Sequence, residues 1–225
     1  SSVLMYPEAS YSFDGTATPL PKSVGKALKL FRVPVVMIRT YGAFPHDPLY
    51  NGLRPRDVNV SADVTYLLSA DEVHDKTVDE LNQILKDNFT FDSFEWQREN
   101  HVRVKEPFRA EGLERVLYKC PDCMTEGKMF SSGTHIRCDA CGADFELTEY
   151  GEIRRSGVSN EVIKIDSNQK ESVQEFNSIP AWYAWERTMV SLELKAGNYI
   201  MRAPVRILVL VNTDAIYHVG SGVMT

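Results

Sequence analysis

The four cysteines of the chain constrain its fold more than any other feature. They occur as two pairs, Cys120-x2-Cys123 and Cys138-x2-Cys141. Each C-x-x-C turn directs two thiolates at one point, and two such turns complete a tetrahedral four-thiolate site for Zn²⁺. Gly142 follows the second pair, where a tight turn needs a residue that tolerates positive φ. The spacing therefore predicts a zinc ribbon with these four cysteines as ligands.

The role expected for this zinc ion is structural. A four-thiolate site leaves no position for water or substrate, and in small zinc peptides the metal contributes roughly 10 to 16 kcal/mol of folding free energy. The alternative is a ribbon that binds nucleic acid, which needs a basic face. Between residues 120 and 151 only Lys128 and Arg137 are basic, whereas the acidic residues are Asp122, Glu126, Asp139, Asp144, Glu146 and Glu149. This balance favours the structural interpretation.

The composition is that of a globular protein rather than a polyanion binder or a membrane span. The chain has 225 residues, 43% hydrophobic content and a net charge of −6. It has no apolar run of about 18 residues, and Val3–Tyr6 is too short for a secretory signal. Cysteines committed to a metal indicate a reducing compartment, so we expect the cytosolic side. Because both ends interrupt strand-like patterns, we also expect a fragment of a longer chain.

The first part of the chain has the pattern of an α/β fold. Val3–Tyr6 predicts a short strand, and the polar residues 9–21 predict a loop. Ser23 is a candidate N-cap for a helix with an apolar stripe. The continuous apolar run Val33–Ile38 is typical of a strand buried on both faces. Strand, loop, helix and strand in this order predict a βαβ unit with a right-handed crossover.

Further elements follow from local patterns. Alternating apolar residues over 58–64 predict a half-buried strand, and Thr77-x-x-Glu80 is a capping box that predicts a helix start. Phe89, Phe91, Phe94 and Trp96 suggest an aromatic-rich helical continuation. Residues 154–177 look like a linker or surface strands. A helix is predicted from Ile179 to Ala196, ahead of Gly197, and strands over 199–201 and 205–211.

Two blocks near the start carry a resemblance to a known family. Pro7–Ser12, within the run YPEASYS, resembles the Pro-Glu-Gly-Thr-Arg-Ser block of the glycerolipid acyltransferases that make phosphatidic acid from lysophosphatidic acid. Val33–Val36 resembles their Val-Pro-φ-Val block. Residues 94–100, the two cysteine pairs and residues 179–187 look like a bacterial branch of this family with a zinc ribbon near its carboxyl end.

The resemblance implies an enzyme that passes an acyl group from a thioester donor, acyl-CoA or acyl-carrier protein, to a lysophospholipid in phospholipid biosynthesis. A His held by an Asp takes the proton from the attacking hydroxyl, and cationic or backbone groups bind the acceptor phosphate and the oxyanion. The family's His-x4-Asp motif lies before the Pro-Glu block, so this fragment alone is expected to be inactive. The membrane surface is an expected partner, with a peripheral location on its inner face. The alternative is a noncatalytic zinc-ribbon module that binds nucleic acid or protein.

The same resemblance assigns substrate binding to the Pro-Glu loop. The predicted substrate-binding residues are Glu8, Ser10, Tyr11, Ser12 and Lys22. Tyr11 stands where the family has the Arg that binds phosphate, so this role could pass to Lys22 or Arg39. For Glu8 two interpretations stay open: it positions the acceptor, or it accepts hydrogen bonds within its own loop.

Two histidines are weaker candidates for chemistry. His74 and Asp79 form a His-x4-Asp pattern, but it lies after the Pro-Glu block, and chance together with the helix start explains it better. His46 is interpreted as a solvated or locally bonded loop residue. On one face of the last predicted helix, Trp182, Trp185 and Met189 favour core packing over membrane contact.

These patterns predict an α/β protein with a partial acyltransferase βαβ sheet, a helical segment and an inserted small β zinc ribbon. The predicted organisation has four parts: the carboxyl-terminal half of an acyltransferase α/β domain (1–66), a helical segment (67–112), the zinc ribbon (113–153) and a final helix with strands (154–225).

Overall fold

The computed structural model describes residues 2–156, 176–197, 203–212 and 215–224. The chain forms two compact units, Ser1–Ala184 and Trp185–Thr225. Helices are combined with antiparallel sheets, which agrees with the predicted mixture of α and β structure. Within the described ranges, no helix is long and apolar enough to cross a bilayer.

The first unit begins with an irregular segment, followed by helix α1 (Ser23–Phe31) and strand β1 (Val35–Tyr41). Helix α1 buries its apolar stripe, with Val24 and Leu28 inside. The prediction that Ser23 caps this helix is wrong. Lys22 holds the N-cap position without a side-chain bond, and Ser23 is the first helical residue.

The predicted βαβ unit is not formed by the described residues. Val3–Tyr6 is exposed and is not a strand. After the short helix α2 (Ala43–His46), strand β2 (Ser61–Leu68) pairs with β1 in the antiparallel direction, with Ile38 opposite Val64 and Val36 opposite Tyr66. Two strands joined by a loop and a short helix lie side by side in opposite directions, so no crossover connection is required.

One face of this two-stranded sheet is open to solvent. Met37 points to the core, but Val36 and Ile38 are 52% and 58% exposed. The prediction that this apolar run is buried on both faces is therefore wrong. The half-buried strand expected over 58–64 is found instead as β2, over 61–68. Its first six residues are exposed, so the predicted half-burial is wrong for them. The open apolar face consists of Val36, Ile38, Ala62, Val64 and Tyr66.

Three helices follow: α3 (Ala70–Asp75), α4 (Val78–Phe89) and α5 (Ser93–Glu99). The capping box predicted for α4 is confirmed, with Thr77 and Glu80 bonding each other's backbone N–H. The expected continuous aromatic helix is interrupted. Helix α4 ends before Thr90, and Asp92 caps the new helix α5 by accepting bonds from the N–H groups of Phe94 and Glu95.

A small core holds these elements together. It consists of buried side chains from α1, the end of β2, α3 and α4: Val24, Leu28, Leu68, Val73, Leu81 and Leu85. Gly25 lets α1 approach α4 closely, because its N–H donates to Asn82 Oδ1 at 2.9 Å and an added Cβ would meet that side chain. Asn82 also donates to the carbonyl of Lys22 at 3.0 Å. The loop before α1 is therefore fixed against α4.

The cysteine pairs lie in and beside a four-stranded antiparallel sheet. Its strands are β3 (Met129–Ser132), β4 (His135–Cys138), β5 (Asp144–Leu147) and β6 (Ile153–Arg155), paired in chain order. One face is apolar and buried through Ile136, Phe145 and Ile153. We call residues 115–156 the four-cysteine module.

The last predicted helix is confirmed as α6 (Ile179–Lys195), with Gly197 beyond its end at φ 68°. Trp182 is completely buried, and Trp185 and Met189 are half-buried. In the second unit, β7 (Ala203–Asn212) and β8 (Ala215–Met224) form an antiparallel hairpin, so the strand predicted over 205–211 is present. The strand predicted over 199–201 and most of the predicted linker over 154–177 lie outside the described residues.

Candidate metal centre and neighbouring groove

The two C-x-x-C turns have the same backbone conformation. Met124 N–H donates to the Cys120 carbonyl at 3.0 Å, and Gly142 N–H donates to the Cys138 carbonyl at 2.8 Å. Met124 and Gly142, each directly after a pair, have left-handed φ angles of 59° and 78°. The expected positive φ at Gly142 is therefore confirmed, and Met124 adopts the same conformation despite its side chain.

These turns bring the four sulfur atoms together. Cys120 Sγ lies 3.6 Å from Cys141 Sγ, and Cys123 Sγ lies 3.7 Å from Cys138 Sγ. All four sulfurs lie within 4.8 Å of one another. Elsewhere in the described ranges, no other group of three or more His, Cys, Asp or Glu side chains is close enough to hold a metal ion.

The four thiols have unequal environments. Cys120 and Cys138 are fully buried, Cys123 is half-buried and Cys141 is exposed. Burial raises the pKa of the Cys120 thiol far above its ordinary value of 9.0. The Thr125 side chain, with its hydroxyl 3.3 Å from Cys123 Sγ, lowers the pKa of Cys123 to about 6. Cys123 is therefore favoured as a thiolate near neutral pH. The buried Cys120 stays protonated until a cation replaces its proton.

The sulfur geometry and chemistry fit a tetrahedral metal ion. With metal–sulfur bonds of about 2.3 Å, neighbouring sulfurs of a tetrahedron lie about 3.8 Å apart. The two measured pairs, at 3.6 and 3.7 Å, are close to this value. Four thiolates suit zinc or iron rather than magnesium or calcium. The cluster can therefore hold a metal through Cys120, Cys123, Cys138 and Cys141, as the sequence predicts.

An ion pair connects the first of the two cysteine turns to the surrounding sheet. Arg155, at the end of β6, forms a two-pronged ion pair with Asp122, which lies between the first two cysteines; its Nη1 donates to Oδ2 at 2.7 Å. This partner and the carboxylate charge raise the pKa of Arg155. Lys119 Nζ lies 3.2 Å from Glu126 across the first turn. The first ion pair connects the first C-x-x-C turn to β6, and the second joins the residues on either side of that turn.

The Pro7–Ser12 loop is organised by local hydrogen bonds. Glu8 Oε1 accepts from the backbone N–H of Thr18 at 2.8 Å and from its hydroxyl at 3.1 Å. Ser12 Oγ donates to the Thr16 carbonyl at 2.7 Å and accepts from Gly15 N–H at 2.9 Å. The contacts of Glu8 thus match the interpretation in which it accepts hydrogen bonds within its own loop. If Glu8 also positions the acceptor substrate, it does so through Thr18.

The predicted substrate-binding residues are only partly brought together. Lys22 and Thr18 line a groove of about 500 Å³ between the loop before α1 and helix α4, which we call the lysine groove. The other predicted substrate-binding residues, Glu8, Ser10, Tyr11 and Ser12, are not among its lining residues, and Ser10 and Tyr11 are exposed. Lys86 on α4 also lines the groove. Sequence analysis missed Lys86, because nothing in its neighbourhood distinguishes it from an ordinary surface lysine.

The histidines and Arg39 are used locally. His46 Nδ1 lies 3.1 Å from the Val58 carbonyl, which agrees with a locally bonded residue. His74 is exposed in the last turn of α3, with its Nδ1 3.1 Å from Asp75. Arg39 contacts the Asn88 carbonyl at the end of α4. None of these three side chains lines the lysine groove.

Comparison with known proteins yields no assignment. No protein-family model, curated protein sequence or solved structure shows significant similarity to this chain.

Proposed function

We propose that the four cysteines bind one structural Zn²⁺ ion and make the module a zinc ribbon. The observation that supports this most directly is the spacing of the sulfurs, 3.6 and 3.7 Å, on two turns with equivalent backbone hydrogen bonds. Four protein thiolates complete the coordination sphere of zinc, so the ion contributes folding free energy rather than catalysis.

The charges of the module support a structural role over nucleic-acid binding. Arg155 and Lys119 are paired with Asp122 and Glu126, and Arg109 lies 3.4 Å from Glu146. A nucleic-acid surface needs cations available to phosphates. These three are engaged by carboxylates, and the exposed Lys128 and Arg137 are outnumbered by the acidic residues of the module. Salt-dependent retention of the protein on DNA or RNA would contradict this assignment.

Metal analysis tests the zinc proposal. The purified chain should contain about one zinc ion and less than a tenth of that amount of iron. Cys138→Ser removes a buried ligand, so zinc content and thermal stability should both fall. Asp139→Asn, an exposed neighbour, is the matched control and should keep both. A Cys138→Ser variant with full zinc content, or a metal-free chain that melts at the same temperature, would rule out the proposed site.

We further propose that the first unit carries the acceptor-binding part of a lipid acyltransferase. The sequence resemblance of Pro7–Ser12 and Val33–Val36 is the basis of this proposal. It is supported by the position of the Pro-Glu loop, because Glu8 holds Thr18 in the wall of a groove that also contains Lys22 and Lys86. The groove is also lined by one carboxylate, that of Asp79, so two ammonium groups leave it with a net positive charge, which suits the phosphate of a lysophospholipid.

The proposed reaction joins the acceptor hydroxyl to the acyl group. The hydroxyl oxygen attacks the thioester carbonyl, the carbon–sulfur bond breaks, and the thiol leaves with the proton that a general base removed from the hydroxyl. Lys22 and Lys86 bind the acceptor phosphate, and Glu8 positions their groove through Thr18. No histidine lines the lysine groove. The proposal therefore requires a His-x4-Asp segment ahead of Pro7, and a peripheral position at the membrane where the acceptor lies.

An acyl-transfer assay tests this proposal. The present polypeptide is compared with a version extended upstream through a His-x4-Asp motif, using acyl-CoA or acyl-carrier protein and lysophosphatidic acid. Only the extended version should transfer the acyl group to lysophosphatidic acid. Turnover by the short chain would contradict the assignment of the base, and no turnover by the extended enzyme would contradict the acyltransferase assignment.

Variants of the extended enzyme test the groove. Lys22→Met and Lys86→Met should each raise the acceptor KM about tenfold, since each removes one charge–phosphate contact. Glu8→Gln should lower kcat/KM, because it weakens the contact that holds Thr18. Asp71→Asn, an exposed carboxylate on α3, is the matched control. Unchanged kinetics in all three groove variants would remove the lysine groove from the active site.

A further inference from the structure

A second groove of about 500 Å³ adjoins the lysine groove and shares Ala17 and Thr90 with it. We call it the aromatic groove. Its distinctive lining consists of three rings and three carboxylates: Tyr41, Phe91, Trp96, Asp92, Glu95 and Glu99. No lysine or arginine is among its lining residues. The acyltransferase proposal makes no use of this groove.

The rings are held in fixed relative positions. Tyr41 stacks on Trp96 with ring centroids 6.0 Å apart and an angle of 28°, and meets Phe91 edge to face at 5.7 Å and 75°. A backbone hydrogen bond joins two segments that line the groove, since Ala17 N–H donates to the Phe91 carbonyl at 2.9 Å. All three rings are half-buried, so part of each remains open to solvent. The groove is therefore preformed.

The carboxylates give the groove a negative field. Asp92 Oδ1 caps α5 by accepting from two N–H groups, at 2.8 and 3.0 Å. Glu95 and Glu99 lie one helical turn apart on α5, and both are exposed. Like charges at this spacing repel each other and weaken a helix, and a bound cation would relieve that repulsion.

The geometry selects the type of cation. Asp92, Glu95 and Glu99 are not close enough to one another to form a metal site within the described ranges. A large organic cation needs no close coordination, because aromatic rings and nearby carboxylates stabilise a diffuse positive charge. Methylated ammonium groups match this chemistry best, since they are weakly hydrated and shaped to contact several rings at once. We propose that the aromatic groove binds the quaternary or methylated ammonium group of a small ligand.

Titration with choline tests the proposal on the whole metal-loaded chain. The three tryptophans give three indole N–H signals, and Trp96→Phe identifies the signal of Trp96. Choline and tetramethylammonium should shift the Trp96 signal saturably and leave that of buried Trp182 unchanged, with sodium chloride at equal ionic strength as the reference. The neutral isostere 3,3-dimethyl-1-butanol should bind at least fivefold more weakly. Equal binding of the isostere would overturn the proposal, because the groove would then be merely apolar.

Variants separate a binding groove from aromatic packing. Tyr41→Leu should weaken choline binding at least fivefold, whereas Tyr66→Leu, an exposed aromatic outside the groove, should not change it. The double variant Glu95→Gln/Glu99→Gln alters only exposed side chains, so its fold should persist even if Tyr41→Leu fails to fold. This double variant should also weaken choline binding, and unchanged affinity in it would overturn the charge-based assignment.

A vesicle assay identifies the source of the ammonium group. If the ligand is a lipid headgroup, the protein should co-sediment with phosphatidylcholine vesicles, and free choline should release it from them. If the ligand is a free molecule, choline should bind in solution and the vesicles should not sediment the chain. Both outcomes agree with the proposal, whereas failure of choline and tetramethylammonium to shift the Trp96 signal at millimolar concentration would refute it. Either result is independent of acyl transfer, which is measured separately.

Discussion

Trp182 is completely buried, and its ring meets Phe145 edge to face at a centroid distance of 4.9 Å. Its indole N–H donates to the Lys119 carbonyl, directly before the first cysteine, at 3.0 Å. One side chain of α6 thus contacts both the sheet of the four-cysteine module and the backbone directly before its first C-x-x-C turn. Aromatic residues with a satisfied polar group contribute strongly at such positions.

Replacing Trp182 should destabilise the first unit. Trp182→Ala should cost about 3 to 5 kcal/mol through the cavity and lost contacts, and Trp182→Phe about 1 to 3 kcal/mol because the bond to the Lys119 carbonyl is lost. Denaturant unfolding of the metal-loaded protein, followed by circular dichroism, measures both. Phe130→Ala, at a side chain that is 57% exposed, is the control and should change stability by less than about 0.5 kcal/mol. Equal losses in all three variants would contradict the role given to Trp182.

At the residue scale, the sequence was informative where chemistry or backbone geometry leaves few options. The convergence of the four cysteines and the positive φ of Gly142 were identified correctly, because cysteine spacing and positive φ are strongly constrained by residue type. Lys86 was not, because a lysine that lines a groove has the same local sequence as one that faces water. Phe91 and Trp96 were predicted only as part of an aromatic-rich helical continuation, and a linear pattern did not reveal that they line a groove.

At the element scale, the capping boxes of α3 and α4 make the stability of these helices depend on pH. Hydrogen bonds from the Thr77 side chain and backbone hold the pKa of Glu80 below its ordinary value of 4.5. Because the pKa of Glu80 is lower in the folded state, the box adds stability above pH 4.5 and loses it as the pH falls through the folded value. Glu72 forms the same arrangement with Ser69 at the start of α3.

Glu80→Gln should therefore reduce the loss of stability on acidification. The variant keeps a side chain that can accept a hydrogen bond but removes the ionised form whose pKa is lowered, so its unfolding free energy should depend less steeply on pH below 4.5. Asp79→Asn, one residue away and outside the box, is the control and should keep the wild-type slope. Denaturant unfolding at several pH values gives the comparison, and identical slopes for Glu80→Gln and wild type would contradict the argument.

At the element scale, sequence patterns predicted helices better than strands. Helix α4 follows from Thr77, Glu80 and an apolar stripe that are close in sequence. The run Val33–Ile38 did form most of β1, but its burial depends on which elements cover it. Val36 and Ile38 are exposed because no described element packs on that face. The antiparallel pairing of β1 with β2 could not be predicted either, because the sequence of a strand does not specify which strand lies beside it.

For the whole molecule, metal binding and proton binding are coupled. A metal ion must displace the protons of any thiols that are still protonated; the pKa of Cys120 is raised, mainly by burial, and that of Cys141 is raised as well. Cys123, with a pKa of about 6, is already largely ionised at neutral pH. Below this value it also binds a proton, so more protons compete with the metal as the solution becomes acidic.

The apparent zinc affinity should therefore fall as the pH is lowered. Each displaced proton changes the affinity about tenfold per pH unit, and the slope should steepen below the pKa of Cys123. Competition with a chromophoric chelator between mildly acidic and mildly basic pH measures this slope. Thr125→Ala removes the side chain that lowers the pKa of Cys123 and should weaken binding at neutral pH, with Thr148→Ala as the control. An affinity independent of pH would contradict thiolate coordination.

At the same scale, the general mixture of helices and sheets was predictable, whereas the arrangement was not. The expected βαβ sheet required Val3–Tyr6 to lie parallel to β1, and the apolar content of that segment says nothing about its partner. The site was predicted only as far as its ligands are close in sequence. The two cysteine pairs form local turns, but the lysine groove joins residues 17–22 to α4, which a linear pattern does not reveal.

The four-cysteine module also connects residues that are distant along the chain. Glu152 forms a bridge with Ser178, and Ile153 N–H donates to the Asn177 carbonyl at 3.0 Å. The residues directly before α6 are thus bonded to the edge strand β6, and Trp182 packs against Phe145 of the same sheet. A single backbone cleavage between residues 156 and 176 should therefore give two fragments that stay associated through these contacts, so the protein should assemble from two complementing halves.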